Sequence, residues 1–156
     1  MNKENILSEL KISFDKCKKE IGFKTSFEEI EEIFYIKDCI LKDKFIGEKF
    51  SRQLCKHITE LFISWNNYLH NLVFPNPGYI IGMMESKIFD DKEKKWISNL
   101  MSEAMVLVSM NILIELNGDK KMEAKFIDDS VDFWNKRYKP ELTKIMKKIN
   151  DNWVKK

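Results

Sequence analysis

Large apolar residues return about once per helical turn along almost the whole chain. Ile6, Leu10, Phe14, Cys17 and Ile21 fall on one stripe between Lys3 and Ile21, the spacing of an amphipathic helix. Gly22 follows as a natural left-handed terminator. A second helix is predicted to start after Ser26, because Ser26 and Glu29 have the spacing of a capping box. Phe27, Ile30, Phe34 and Leu41 then line one side as far as Lys42 to Lys44. A long third helix, from about Phe45 to Val73, carries Phe50, Leu54, Ile58, Leu61, Phe62, Trp65, Leu69 and Leu72 on a broad face, with Gly47 a small break near its start.

Phe74-Pro75-Asn76-Pro77-Gly78 is the strongest punctuation in the chain. Proline restricts the residue before it, and Pro-Gly favours a turn. A short helix over Tyr79–Phe89 is predicted next, then a long one from Asp91 to Leu116 capped by Asp90 and Glu93. The second half of that long helix (AMVLVSMNILIEL) is apolar on nearly every side, the mark of a central helix surrounded by others. Asn117-Gly118 ends it. Met122, Phe126, Val131, Phe133 and Trp134 mark a further helix over about Asp119–Tyr138, and Pro140 either starts a last helix or kinks one long one. Leu142, Ile145, Met146, Ile149 and Trp153 complete the pattern. The expectation is an all-α fold: a compact bundle of five to seven helices around a central apolar helix, as a single domain over residues 1–156.

Composition agrees. Only five glycines and three prolines in 156 residues leave few breakers for the many tight turns of a β-rich domain. The net charge of +2 gives no global case for nucleic acid. Cys17, Cys39 and Cys55 are odd in number and contain no CxxC pair, so small packed thiols are expected rather than a disulfide framework or a zinc site. The first twenty residues lack an apolar core of the signal-peptide kind. The longest greasy run, Ala104 to Leu116, is shorter than the roughly 20 residues that span a bilayer. A cytoplasmic protein with no membrane partner is the resulting expectation.

Five constellations bear on chemistry. Arg52 and His57, separated by four residues, resemble the RxxxxH motif of HEPN-family helical ribonucleases. That resemblance implies RNA cleavage at a dimer cleft, with Arg52 holding phosphate and His57 moving protons. A helical wheel sets these two about 140° apart, His57 at the edge of the core stripe and Arg52 towards solvent. Asp128, Asp129 and Asp132 spell DDxxD, similar to the magnesium-binding motif of isoprenyl diphosphate synthases. On the wheel their face opposes Phe126, Ile127, Phe133 and Trp134, which makes it a solvated acidic stripe. Glu28, Glu29, Glu31 and Glu32 resemble the ExxE half of MazG-type pyrophosphatases, whose ExxD half the chain lacks; they also suit the start of a helix.

From Trp134 to Lys156 the chain holds eight bases against two acids. This is a basic helix that could contact nucleic acid, an acidic partner, or only water. Finally, Trp65, Asn66, Asn67, His70, Asn71, Asn76 and Tyr79 surround the Pro-Gly turn. Asparagine is a poor helix former, so these amides either fix the turn or form a recognition surface, of which Asn67, His70, Asn71 and Tyr79 are the candidate members. No catalytic residue, metal ligand or cofactor is assigned. The sequence therefore points to a binding or assembly module without catalytic activity, taking a protein partner or a second copy of itself. An RNA-directed protein, either a binder or a HEPN-like ribonuclease using Arg52 and His57, is the alternative.

Overall fold

The computed structural model describes residues 3–156, and every element among them is helical, so the fold is all-α. The elements are α1 (Lys3–Ile21), α2 (Phe27–Phe34), α3 (Ile36–Asp43), α4 (Phe50–Val73), α5 (Ile80–Ser86), α6 (Asp91–Asn117), α7 (Lys120–Phe133), a π-helical turn (Trp134–Tyr138) and α8 (Lys139–Val154). Their ends follow local chemistry. Gly22 and Gly118 take positive φ and donate back to Lys18 O and Ile114 O. Glu29 N–H donates to Ser26 Oγ while Ser26 N–H donates to Glu29 Oε2, and Asp90 with Glu93 repeats the exchange at the head of α6.

Two elements differ from the sequence pattern, and at Pro140 one of the two expected outcomes holds. The helix expected from Ser26 to Lys44 is broken at Tyr35, which is left-handed (φ 51, ψ 47). Its N–H caps α2 on Glu31 O, and Glu31 Oε2 accepts from Lys37 N–H to restart α3. The long third helix begins at Phe50 rather than Phe45, because Gln53 Oε1 takes Gly47 N–H and holds that segment outside the helix. Pro140 starts no new helix after a break: α7 runs into the π turn through helical Phe133 and on into α8, with Lys139 N–H donating to Trp134 O. A widened turn absorbs the missing proline N–H and the crowding of its ring.

Left-handed backbone costs an L-residue roughly 1–2 kcal/mol. Tyr35 is exposed, so relief of its strain costs no packing. Tyr35→Gly is expected to raise stability by about 0.5–1 kcal/mol, read as a rise in Tm of about 1–4 °C. A fall in Tm would show that the Tyr35 ring makes a contact worth more than the strain.

The chain groups into two units. The first runs to Leu61 and resumes over Leu107–Asp132; the second comprises Phe62–Val106 and Phe133–Lys156. In the first, Leu10, Phe14, Ile30, Ile36, Ile40, Leu54, Ile58, Phe126 and Ile127 are buried, with Phe14 edge-on to Phe23 and Phe27 at 5.4 and 5.1 Å. In the second, Phe62, Leu69, Leu72, Leu100, Tyr138, Ile145 and Ile149 are buried, and Phe62 meets Tyr138 edge-on at 5.5 Å. Each fully buried large side chain contributes about 1.5–3 kcal/mol.

Helix α6 contributes a packed face to each unit: Ile97, Leu100 and Ala104 in the second, Leu107, Val108 and Ile114 in the first. It is not apolar because it is enclosed. Met105, Val106, Ile112, Leu113 and Leu116 are exposed. By length and composition α6 is apolar enough to cross a membrane, and 39% of its apolar stretch is buried.

Candidate binding surface

The candidate surface lies at the Pro-Gly end of the second unit. There the turn is tight: Gly78 N–H donates to Asn76 Oδ1 and Tyr79 N–H to Asn76 O, both at 2.9 Å. The turn returns the chain as α5, and α5 is built inside out. Its buried residues are Gly82, Glu85 and Ser86, while Ile80 and Ile81 point outward. A Cβ on Gly82 would lie 2.5 Å from the Tyr79 ring, so any larger residue there forces that ring to move. Ser86 Oγ donates to Leu72 O at 2.6 Å. Glu85 accepts from Tyr68 OH at 2.9 Å and from Trp153 Nε1 at 3.0 Å, one oxygen each. Burial, and then the Glu85 carboxylate, push the Tyr68 hydroxyl's pKa up. The Glu85 network ties α5 to α4 on one side and α8 on the other.

In this unit Phe74 (64% exposed), Ile80 (73%) and Val154 (77%) face solvent, Tyr79 and Ile81 are about half-exposed, and Trp153 is about one-third exposed.

The amides expected to form this surface mostly serve the scaffold. Asn66 is buried, donating to Met101 O at 3.1 Å and accepting from Tyr138 OH at 2.6 Å. Asn71 donates to Asn67 O within its own helix. His70 is exposed, with its ring 5.3 Å from that of Phe74, and Tyr79 is about half-exposed. Of the candidate residues Asn67, His70, Asn71 and Tyr79, His70 stands against exposed Phe74 and Tyr79 against Gly82 of α5. Phe74, Ile80, Ile81 and Val154 are exposed and were not among the residues expected from the sequence. The available signal was the register of Gly82, Glu85 and Ser86, a small-and-polar face of the kind that packs inward.

No known protein family, curated protein or solved structure matches this chain.

The other constellations lie in the first unit or along α8, and their polar groups are largely occupied. Arg52 does not point to solvent, as the wheel suggested. Its Nη2 donates to Asn111 Oδ1 at 2.9 Å, and its Nη1 lies 3.6 Å from Glu123 Oε1, beyond hydrogen-bond range. Glu123 is buried, and Glu115 stands 3.9 Å from Arg52 on the exposed side. Asn111 Nδ2 in turn donates to Thr59 Oγ1, which donates to Cys55 O. His57 is buried elsewhere, with Nδ1 at 3.1 Å from Glu60 and Nε2 at 3.2 Å from Asp43, the latter without hydrogen-bond alignment. Arg52 and His57 therefore meet different neighbours and are not brought together.

A cavity of about 760 Å³ adjoins Arg52 and Glu123, walled also by Lys16, Glu20, Glu115 and Lys120. Its charges are of both signs and several are already paired, so it selects no single ligand chemistry. Cys17, at its edge, and Cys55 are both pushed up to about 12 by burial, which leaves them protonated and poor nucleophiles.

Asp128 is not part of a solvated stripe. Its carboxylate accepts from Lys24 N–H, Thr25 N–H and Thr25 Oγ1 at 2.6–3.0 Å, pinning the link before α2 onto α7. Asp129 pairs with Lys125. Among the described residues no three His, Cys, Asp or Glu side chains gather as a metal site. Of the α2 glutamates, Glu29 and Glu31 serve as backbone caps and Glu28 meets Lys11 at 3.4 Å.

The basic C-terminal stretch is partly neutralised. Arg137 forks onto Glu103 with two bonds of 2.9 Å, Lys144 meets Glu141 at 3.0 Å, and Lys148 bonds Glu93. The Arg137 and Lys148 hydrogen bonds hold Glu103 and Glu93 below the usual carboxylate range. Charges engaged in this way are poorly placed to release counterions from a phosphate backbone.

Proposed function

We propose that the protein is a helical binding module without catalytic activity of its own, and that it docks through the Pro-Gly end of its second unit. One observation carries this reading: α5 is inverted, its glutamate and serine committed to internal bonds while Ile80 and Ile81 face out. A solvent-facing apolar pair forgoes about 25 cal/mol for every Å² left wet. A surface that covers Ile80 and Ile81 would recover that loss. His70 and Tyr79, read from the sequence as binding residues, lie at its border.

A photoreactive phenylalanine analogue tests this. It is placed at Ile80 or at Ile12, an equally solvent-exposed isoleucine of α1, and irradiated in living cells. Adducts at Ile80, of protein or lipid mass, are expected to exceed those at Ile12 at least fivefold. Equal labelling at the two positions, or none at Ile80, would contradict the docking reading.

A further inference from the structure

We infer that α6 pairs with the α6 of a second copy of this chain, antiparallel and centred on Ser109. This helix is unbroken from Asp91 to Asn117, so helical register alone decides which of its residues share a face. Met105, Val106, Ile112, Leu113 and Leu116 are 46–76% exposed. Together with exposed Ser102 and Ser109 they fall within about 120° of arc, at 100° per residue. The other side, with Leu107, Val108, Asn111 and Ile114, is buried. The helix therefore offers one stripe, not the all-round apolar surface of a lone membrane span.

The stripe is complementary to itself. Its members are symmetric in sequence about Ser109. A two-fold axis there sets Leu116 of one copy beside Ser102 of the other, Met105 beside Leu113, and Val106 beside Ile112. Such reciprocal pairing is what a two-fold interface requires. A small residue at the centre lets two helix backbones approach closely. Charge does not oppose the pairing. Between Met101 and Asn117 the charged residues of α6 are Glu103 and Glu115, both outside the arc. Arg137 forks onto Glu103, and Arg52 stands 3.9 Å from Glu115. Lys95 and Asp91, of opposite sign, continue the arc towards the helix start. Met101 is the counterpart of Asn117, so both lie past the end of the partner helix. Area sets the strength. The five apolar side chains leave roughly 500 Å² wet per copy, so pairing removes about 1,000 Å², the lower edge of a specific interface. Such a pair forms at tens of micromolar chain and separates at trace concentration.

Sedimentation equilibrium of the full chain from about 5 to about 200 µM tests this. The mean mass is expected to rise from near 18.7 kDa towards twice that value. Ile112→Glu/Leu113→Glu is expected to associate at least tenfold more weakly, and Leu116→Arg takes its place if circular dichroism finds it unfolded. Ile80→Glu/Ile81→Glu should associate as wild type, which separates this stripe from the docking end. Orientation is read by oxidising single introduced cysteines after Cys39→Ser removes the half-buried thiol. Ser109→Cys is expected to give a disulfide-linked dimer, and Ser102→Cys at most a tenth as much. A wild type that stays monomeric throughout, or a glutamate variant that associates as wild type does, would overturn the pairing. Equal linkage at the two positions would overturn the antiparallel arrangement about Ser109. Monomers that instead sediment with phosphatidylcholine vesicles, and lose this in Ile112→Glu/Leu113→Glu, would give the stripe to a bilayer and sink the second copy.

Discussion

Arg52→Met is expected to lower the unfolding free energy by about 3–5 kcal/mol, the usual cost of leaving a buried charge without its partner. Glu123 is almost wholly enclosed, and the Arg52 guanidinium 3.6 Å away is the cation set against it. The substitution also strips Asn111 Oδ1 of its donor. Because the loss comes from stranding Glu123, the double variant Arg52→Met/Glu123→Leu is expected to recover most of it, since an apolar pair of similar size often replaces a buried ion pair without cost. Urea unfolding followed by circular dichroism reads both values. A single variant within about 0.5 kcal/mol of wild type, or a double variant no better than the single, would show that the pair is not mutually dependent. The same experiment separates a structural arginine from a phosphate-holding one, whose removal would leave the fold intact.

Asp128→Ala is expected to cost about 2–3 kcal/mol, because charge-assisted bonds to one carboxylate are lost together and two backbone N–H groups lose their acceptor. The damage should be local. Amide exchange at Lys24 and Thr25 should accelerate first, since both donate to this carboxylate. Asp128→Asn is expected to fall between, keeping one acceptor oxygen. Wild-type exchange rates at Lys24 and Thr25 in the alanine variant would show that the link before α2 is held by something else.

Much of the architecture was legible because its causes are local. The stripe from Ile6 to Ile21, the reciprocal caps at Ser26/Glu29 and Asp90/Glu93, and the terminating Gly22 and Gly118 each depend on residues within one or two turns. What the pattern missed depends on distant partners. Asp128 bonds residues 103 and 104 positions earlier, and Arg52 bonds a residue 59 positions later. A wheel therefore sent both to solvent. Tyr35 failed for another reason: left-handed tyrosine has no signature in composition, and the break is made by backbone caps around Glu31. The Pro-Gly break was legible as punctuation, and the chain makes a tight turn there closed by Asn76. Asparagines drew attention to the Pro-Gly turn, but Asn66 and Asn71 spend their amides on the scaffold, and the exposed chemistry is that of Ile80, Ile81 and Val154, which periodicity alone assigns to a core. Apolar α6 packs part of its surface in each unit and leaves Met105, Val106, Ile112, Leu113 and Leu116 exposed, because a greasy helix need not be covered on every side.

On the docking proposal the conspicuous polar clusters keep the fold together while the inverted α5 makes contact with the outside. Sedimentation of fluorescently labelled protein in whole cell extract, membranes retained, sets these against each other. Wild type and His57→Ala are expected to sediment together in a bound form, with Ile80→Glu/Ile81→Glu released as free 18.7 kDa chain. Release of His57→Ala with retention of the isoleucine variant would contradict it.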